Sequence, residues 1–339
     1  MPIFNFEIIE NASPKWNEII KQAETYDFHH TAFFHKIDNK FRSVLLYFSS
    51  EENFIALPIV LRPIENTPYW DVTSVYGYSG PVYKFQSPAE KDALINFFKN
   101  TFIRFCEEFG VISVFARLHP VLSQRKILDG MGQILDLNRT VGISLNMAPE
   151  DQRKVYRKSL KSELNQLRRK ELMVVTAYDH GEIDAFIKIY YETMDRVNAS
   201  QDYYFSQDYF YQFLQNRDFE AKLLVCKERN NVIAGAIFTN SEKIIQYHLA
   251  GTSSEYIKIA PMKLIIDEAR LWGNQTAAGT LHLGGGVGGS DEDSLFRFKS
   301  AFSDQYMQFS VWRFIVNKEV YGELSQGKEM SNYFPLYRS

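Results

Sequence analysis

One lysine in this sequence is set where its amine has to do something. In DSLFRFKSAFS, residues 293–303, a helical step of about 100° per residue puts Phe298 and Phe302 within about 60° of Leu295. Lys299 lies about 40° from Leu295, and Arg297 falls on the far side at about 200°. Lys299 therefore points with the apolar stripe. Its amine either snorkels to water on an aliphatic stem or sits in a cavity with an anionic or electrophilic partner. The first is packing; the second suits binding a phosphate or polarising an acyl carbonyl.

A second group able to move a proton is His248, which alternates with Tyr247 in the strand-like IIQYHLAG. A lone strand histidine is also common as a structural residue. Upstream of Lys299, Gly284, Gly286 and Gly289 in LGGGVGGSDED satisfy G-x-G-x-x-G. Only about 50 residues follow, too few for the parallel strands of a dinucleotide-binding unit. The acids Asp291, Glu292 and Asp293 suit a helix N-terminus and would repel a pyrophosphate there. A close-approach backbone turn leading into the lysine helix is expected instead. The cluster FHHTAFFH holds His29, His30 and His35 without a helical i, i+4 pair, so no metal site is expected.

The elements that carry these residues occur in the same order twice. In the first half, a helix near 16–26 precedes the strands SVLLYF and FIALPIVL, a turn-rich segment, a helix near 89–109 and the strand VISVFARL. In the second half, a helix near 183–197 precedes AKLLVCKE, VIAGAIFT and KIIQYHLA, whose short polar breaks read as an antiparallel meander. A helix near 261–272 and the strand LHL follow. This pattern predicts an α/β fold of mixed sheets in two tandem domains, 1–139 and 140–339, with TVGISLNM opening the second.

Composition bounds the rest. The chain has 339 residues and a net charge of −3, which fits about two soluble domains. The 27 Phe and 20 Tyr are mostly core material. Cys106 and Cys226 form no C-x-x-C pair, which suits a reducing compartment without disulfides or zinc. The N-terminal residues carry acids where a secretory leader needs an apolar run, and no stretch nears about 18 apolar residues. A cytoplasmic chain is expected. Charge is uneven, however: residues 153–170 hold eight Lys or Arg against Glu163 alone. Tyr156, Leu160, Leu164 and Leu167 at helical spacing give this segment a buried stripe. Its basic face is either solvated or meets tRNA or an anionic membrane; no DNA partner is expected.

Several motifs, taken in order, resemble the FemABX-like proteins, tandem GNAT acyltransferases that add amino acids to peptidoglycan precursors. They are LGGG followed by DSLFRFKSAF, YGYSGP at 76–81, FARLHP at 115–120, YYETMDRVNASQDYYF at 190–205, and YHLAGTSSEYIKIAPMKLI. The resemblance implies two GNAT-like domains packed around a central cleft. Its lysine in the F-K-x-x-F context maps onto Lys299 as a catalytic candidate, and His248, near a strand end expected to face the cleft, is the nearest catalytic candidate for proton handling. The resemblance places Tyr76, Tyr78, Arg117, His119, Arg196, Tyr204, Tyr247, Lys258 and Phe298 in substrate binding.

GNAT enzymes that use acyl-CoA usually hold its pyrophosphate at a glycine-containing loop that opens a helix. The matching SSEYIKIAPMK offers Lys258 and Pro261 but no glycine pair. An aminoacyl-tRNA donor is therefore expected, with no bound cofactor. The acceptor is an amine of a nucleotide- or lipid-linked cell-envelope precursor. Two alternatives stay open: an acyl-CoA-dependent enzyme acting on an amino sugar in polysaccharide biosynthesis, and a catalytically silent nucleotide-sugar-binding protein.

Overall fold

A computed structural model of the chain describes residues 3–37, 41–87, 89–286 and 292–339. The chain folds into two compact units, Met1–Asn138 with Gln308–Ser339, and Arg139–Met307. The sequence pattern predicts a single boundary near 139. The C-terminal residues instead belong with the first unit, because their strand pairs there.

In the first unit, β1 (Phe4–Glu10) leads through α1 (Lys15–Ile20) and α2 (Ala32–Ile37) to β2 (Arg42–Ser50), β3 (Asn53–Pro63), β4 (Trp70–Thr73) and β5 (Val82–Lys84). Then come α3 (Lys91–Glu108), β6 (Val111–Leu118) and α4 (Arg125–Leu128). Strands β1 to β4 pair antiparallel in order, with β5 on the side of β3, and β6 runs parallel to β4. The helix expected over 16–26 ends at Ile20, since the Glu24 N–H is drawn to the Tyr83 carbonyl of β5 at 2.8 Å. One face of α3, with Leu94, Phe98, Phe102 and Phe105, packs on the sheet.

From β7 (Gln133–Ser144) the chain enters the second unit through α5 (Pro149–Val155), α6 (Lys158–Arg168), β8 (Leu172–Thr176), α7 (His180–Arg196) and α8 (Gln207–Gln215). There follow β9 (Glu220–Glu228), β10 (Asn231–Ser241), β11 (Ile244–Thr252), α9 (Met262–Gly273), β12 (Thr280–Gly284) and α10 (Ser294–Lys299). Strands β8 to β11 pair antiparallel, β12 is parallel to β11, and β7 is antiparallel to β12. The basic segment is two helices, not one. Tyr156 and Arg157 take extended ψ values of 138° and 139°, which turns the Tyr156 ring into the core.

The chain returns to the first unit in β13 (Gln305–Ile315), antiparallel to β6, and ends after α11 (Lys318–Leu324). Both units thus contain four antiparallel strands, a crossover helix and a fifth strand parallel to the fourth. The strand beside that fifth one is β13 in the first unit and β7 in the second. Trp312 of β13, fully buried, donates to the Met131 carbonyl at 2.6 Å. No described helix is long and apolar enough to cross a membrane.

Candidate functional site

In the second unit, β11 and β12 pair only at Ile244–Thr280, Ile245–Leu281 and Gln246–His282. β11 runs on to Thr252 without β12 beside it. Past this fork the chain of β12 turns through Gly284, with φ +75°, toward α10. A Cβ on Gly286 would stand 2.2 Å from Asp293 Oδ1. The glycine turn is thus filled by the carboxylate that caps α10, which accepts from the Phe296 N–H at 2.9 Å. Gly289, Ser290 and Asp291 lie outside the described residues.

Lys299 is the last residue of α10 and only 6 % exposed. Its Nζ donates to the Gly285 carbonyl at 2.7 Å and lies 5.5 Å from the Tyr247 ring centroid. Burial lowers its pKa to about 7, with the Asp293 charge opposing. An amine in this state takes up and releases a proton near neutral pH. Phe298, half-buried, packs edge-on against Phe302 at 5.8 Å and supports the helix.

His248 is not brought to this amine. The β10–β11 register slips so that Ile237 faces Leu249 and Phe238 faces Tyr247, leaving His248 as the extra residue of a bulge. Its ring stacks on Phe213 of α8 at 4.8 Å, with the Tyr209 hydroxyl 3.5 Å from Nε2. Tyr247 joins the core beneath α9 and α10, and burial raises its hydroxyl pKa. Arg196 ends α7 and donates to Ser254 Oγ at 3.1 Å and Thr193 Oγ1 at 3.2 Å. Tyr204 donates to Asp195 at 2.7 Å, its ring nearly parallel to that of Tyr191 at 6.3 Å. Lys258 is exposed in a 3-10 turn, Ser254–Ile259.

The basic helices adjoin this region. The Arg157 N–H donates to Ala301 O at 2.9 Å, two residues beyond Lys299, and Tyr156 meets Phe302 edge-on at 5.4 Å. Below them, Asp267 of α9 is fully buried. It accepts from Tyr156 at 2.7 Å, from Arg270 at 2.9 Å and from Arg168. Burial pushes its carboxyl up, but the Tyr156 hydrogen bond and the Arg270 and Arg168 charges hold it below the usual range.

In the first unit, YGYSGP and FARLHP are joined. Ser79 N–H donates to Arg117 O at 2.7 Å, His119 N–H to Ser79 O at 3.1 Å, and Gln124 Nε2 to Ser79 O at 2.8 Å. Tyr76 is exposed with the Arg117 guanidinium 5.2 Å over its ring, and Phe115 flanks the same guanidinium at 5.3 Å. Tyr76 and Arg117 thus lie at the surface of this unit, the first exposed and the second half-buried.

His119 does not: it is 2 % exposed, and its Nε2 contacts Asp27 Oδ2 at 3.0 Å. Tyr78 packs edge-on against His29 and His119. His29 Nδ1 reaches the same Asp27 oxygen at 2.9 Å. Burial raises the Asp27 carboxyl, yet the hydrogen bonds from His119 and His29 hold it well below its ordinary value.

These three side chains bring nitrogen and oxygen atoms within 4.8 Å of one another, as a metal site would. The tautomer argues otherwise. Val121 N–H donates to His119 Nδ1 at 3.2 Å, so the proton sits on Nε2 and is given to Asp27. A metal-ligating histidine has its other nitrogen protonated and facing an acceptor. The cluster is a hydrogen-bonded carboxylate that braces the YGYSGP turn. Sequence reasoning finds His29 and His119 but misses Asp27, which no local spacing ties to His119.

No family model and no curated protein matches the sequence. Solved structures do. FemX superimposes with a TM-score of 0.73 at 11 % identity, over 94 % of this chain and 99 % of that one. L-PGS from Bacillus licheniformis gives 0.60 at 15 % identity, over 92 % and 95 %. A conserved protein of unknown function from Bacteroides thetaiotaomicron gives 0.59 at 8 %, over 92 % and 100 %. The chain has the FemX fold, as the motif resemblance leads one to expect.

Proposed function

We propose that this protein is an N-acyltransferase of FemABX-like type, moving an aminoacyl group from aminoacyl-tRNA to an amine of a nucleotide- or lipid-linked cell-envelope precursor. The observation that carries it is the Lys299 amine: buried, fixed by the Gly285 carbonyl, set at the fork between β11 and β12, and titrating near neutrality. The likeness of fold to FemX and L-PGS supports the same reading.

Transfer needs an attacking amine without its proton and a partner for the developing oxyanion. The acceptor nitrogen forms a bond to the acyl carbon, the carbonyl π pair moves to oxygen, and the C–O bond to the tRNA ribose then breaks. The nitrogen gives up one proton and the departing ribose oxygen takes one. Lys299 in its neutral form accepts the first and returns it to the second, so the balance closes without another reactant. In its charged form it stabilises the oxyanion.

Three features favour tRNA over acyl-CoA as donor. The turn before α9 lacks glycines, with Ala260 supplying its positive φ of 52°. The cavity of about 620 Å³ beside that turn is lined by Asp179, Glu182 and Glu255, with Lys227 alone opposing them, which is unfavourable for a pyrophosphate. Arg157 and Lys158 at the start of α6, and Arg169 and Lys170 just past its end, are exposed with no acidic partner among the described residues, a basic stripe suited to a phosphate backbone.

The test is mass spectrometry of nucleotide- and lipid-linked precursors incubated with the protein and either charged tRNA or an acyl-CoA mixture. A mass gain of one amino-acid residue that depends on charged tRNA is expected. A gain with acyl-CoA alone overturns the donor, and precursor binding without any gain leaves a silent binding protein.

A further inference from the structure

We infer that His282 is a positioning residue for Lys299, acting through the hydrogen-bonded chain Gln246–His282–Thr140 that closes the fork between β11 and β12. All three side chains are buried, at 4 %, 0 % and 1 % exposure. His282 Nδ1 lies 2.7 Å from Gln246 Oε1 and Nε2 lies 2.8 Å from Thr140 Oγ1. An amide oxygen only accepts, so Nδ1 carries the proton, and Nε2 meets the Thr140 hydroxyl, which also lies 3.4 Å from the Met307 carbonyl. One imidazole thereby ties together three neighbouring strands, β11, β12 and β7.

Its place in the sheet gives the chain its consequence. Gln246–His282 is the last paired position before the strands part. The residue after Gln246 is Tyr247, whose ring faces the Lys299 amine. Three residues after His282 is Gly285, whose carbonyl accepts from that amine. Both walls of the lysine site thus start at the clamp. A buried polar network inside an otherwise apolar core is costly unless fully satisfied. Here it fixes how far the strands separate, and with that how deeply the amine is shielded from water.

The titratable groups facing Lys299 are Tyr247 from β11, kept neutral by burial, and Asp293 before α10. Neither belongs to the clamp, so a change in Lys299 titration on altering the clamp reports shielding and not a lost charge. The inference uses the Lys299 site of the proposed function but assumes nothing about the group transferred.

The experiment is competitive labelling of Lys299 in the folded full-length protein with acetic anhydride from pH 5 to 10, quantified by peptide mass spectrometry. Thr140→Val and Gln246→Met each remove one bond of the clamp with little change in volume. Both are expected to raise the midpoint and to reduce labelling at pH 7 about fivefold, the effect of a one-unit rise on the neutral fraction. Ile233→Ala, a cavity elsewhere in the same core, is expected to lower thermal stability and leave the midpoint in place. An unmoved midpoint in both clamp variants, with native circular dichroism, overturns the inference. So does an equal shift in Ile233→Ala. Because labelling needs no turnover, failure of the acyl-transfer reading leaves this result standing.

Discussion

Lys299 hands a proton bond to the Gly285 carbonyl across 2.7 Å from a site only 6 % exposed. A carbonyl is a neutral partner, so the charged amine is poorly compensated and its pKa falls to about 7 from an ordinary 10.5. Below about pH 7 the folded chain carries a buried charge. Between about 7 and 10.5 the unfolded chain holds a proton that the folded chain has released, so stability rises with pH through that window. Lys299→Met is therefore expected to be more stable than the parent at pH 6, by about 1–3 kcal/mol. The gap should close by about pH 10, while transfer falls on the order of 10²- to 10³-fold. Urea unfolding at the two pH values, beside turnover, checks both. A Met variant less stable at pH 6 would show that the amine is not under strain.

Asp267 anchors the basic helices from below. Asp267→Asn keeps the shape but leaves Arg168 and Arg270 without their carboxylate, at a cost of about 3–5 kcal/mol for a broken buried pair. The folded carboxyl sits below the ordinary range, so its contribution is present above pH about 4 and lost as pH falls through the lower folded value. The parent's melting temperature should drop more steeply than the variant's in acid. Parallel curves would mean that Asp267 adds nothing linked to its ionisation.

What the sequence discloses and withholds follows from the range of the interactions. Lys299 is legible because phenylalanines at helical spacing define a face within one turn and a half. The repeated order of elements is legible for the same reason. The pairing of β13 with β6 joins residues nearly 200 positions apart and leaves no local trace, so sequence pattern places residues 308–339 with the wrong neighbour. The strand end that carries His248 is expected to face the cleft, but the Tyr247 ring takes the lysine side and the next residue, His248, lies on Phe213. Its place beside Arg117 makes His119 look like a binding residue, but alternate residues of a strand diverge once the strand ends, and Asp27 holds it inside. His282 carries a signal that is easily passed over: a polar residue inside LHL, a strand apolar on both sides.

The YGYSGP turn makes a stringent test of the histidine–aspartate brace. Gly77 has φ +99°, and a Cβ there would stand 2.2 Å from His29 Nε2. Gly77→Ala must strain its backbone and displace the imidazole at once. A loss of about 2–4 kcal/mol is expected, combining the positive-φ cost with disturbance of a buried bond. Asp27→Asn should cost a similar amount without altering backbone conformation. Chemical denaturation of the two single variants and the double variant measures their coupling. Strictly additive losses would mean the turn does not lean on the brace.

The stripe formed by Arg157, Lys158, Arg169 and Lys170 separates a partner surface from a solvated one. All four are exposed. Exposed cations without a fixed partner contribute little to folding, so changing the four to Ser should leave the melting temperature within a degree or two. If the face meets the phosphates of tRNA, each lost contact removes counterion release. The slope of log affinity against log salt should then shrink by about 0.7–0.9 per contact. Filter binding of tRNA between low and moderate salt reads this directly. Anionic vesicles in the same assay are the control: a variant that loses vesicle binding but keeps its tRNA salt slope assigns the face to a membrane. One unchanged in both assays leaves it facing water, and the donor would then have to be held by other residues.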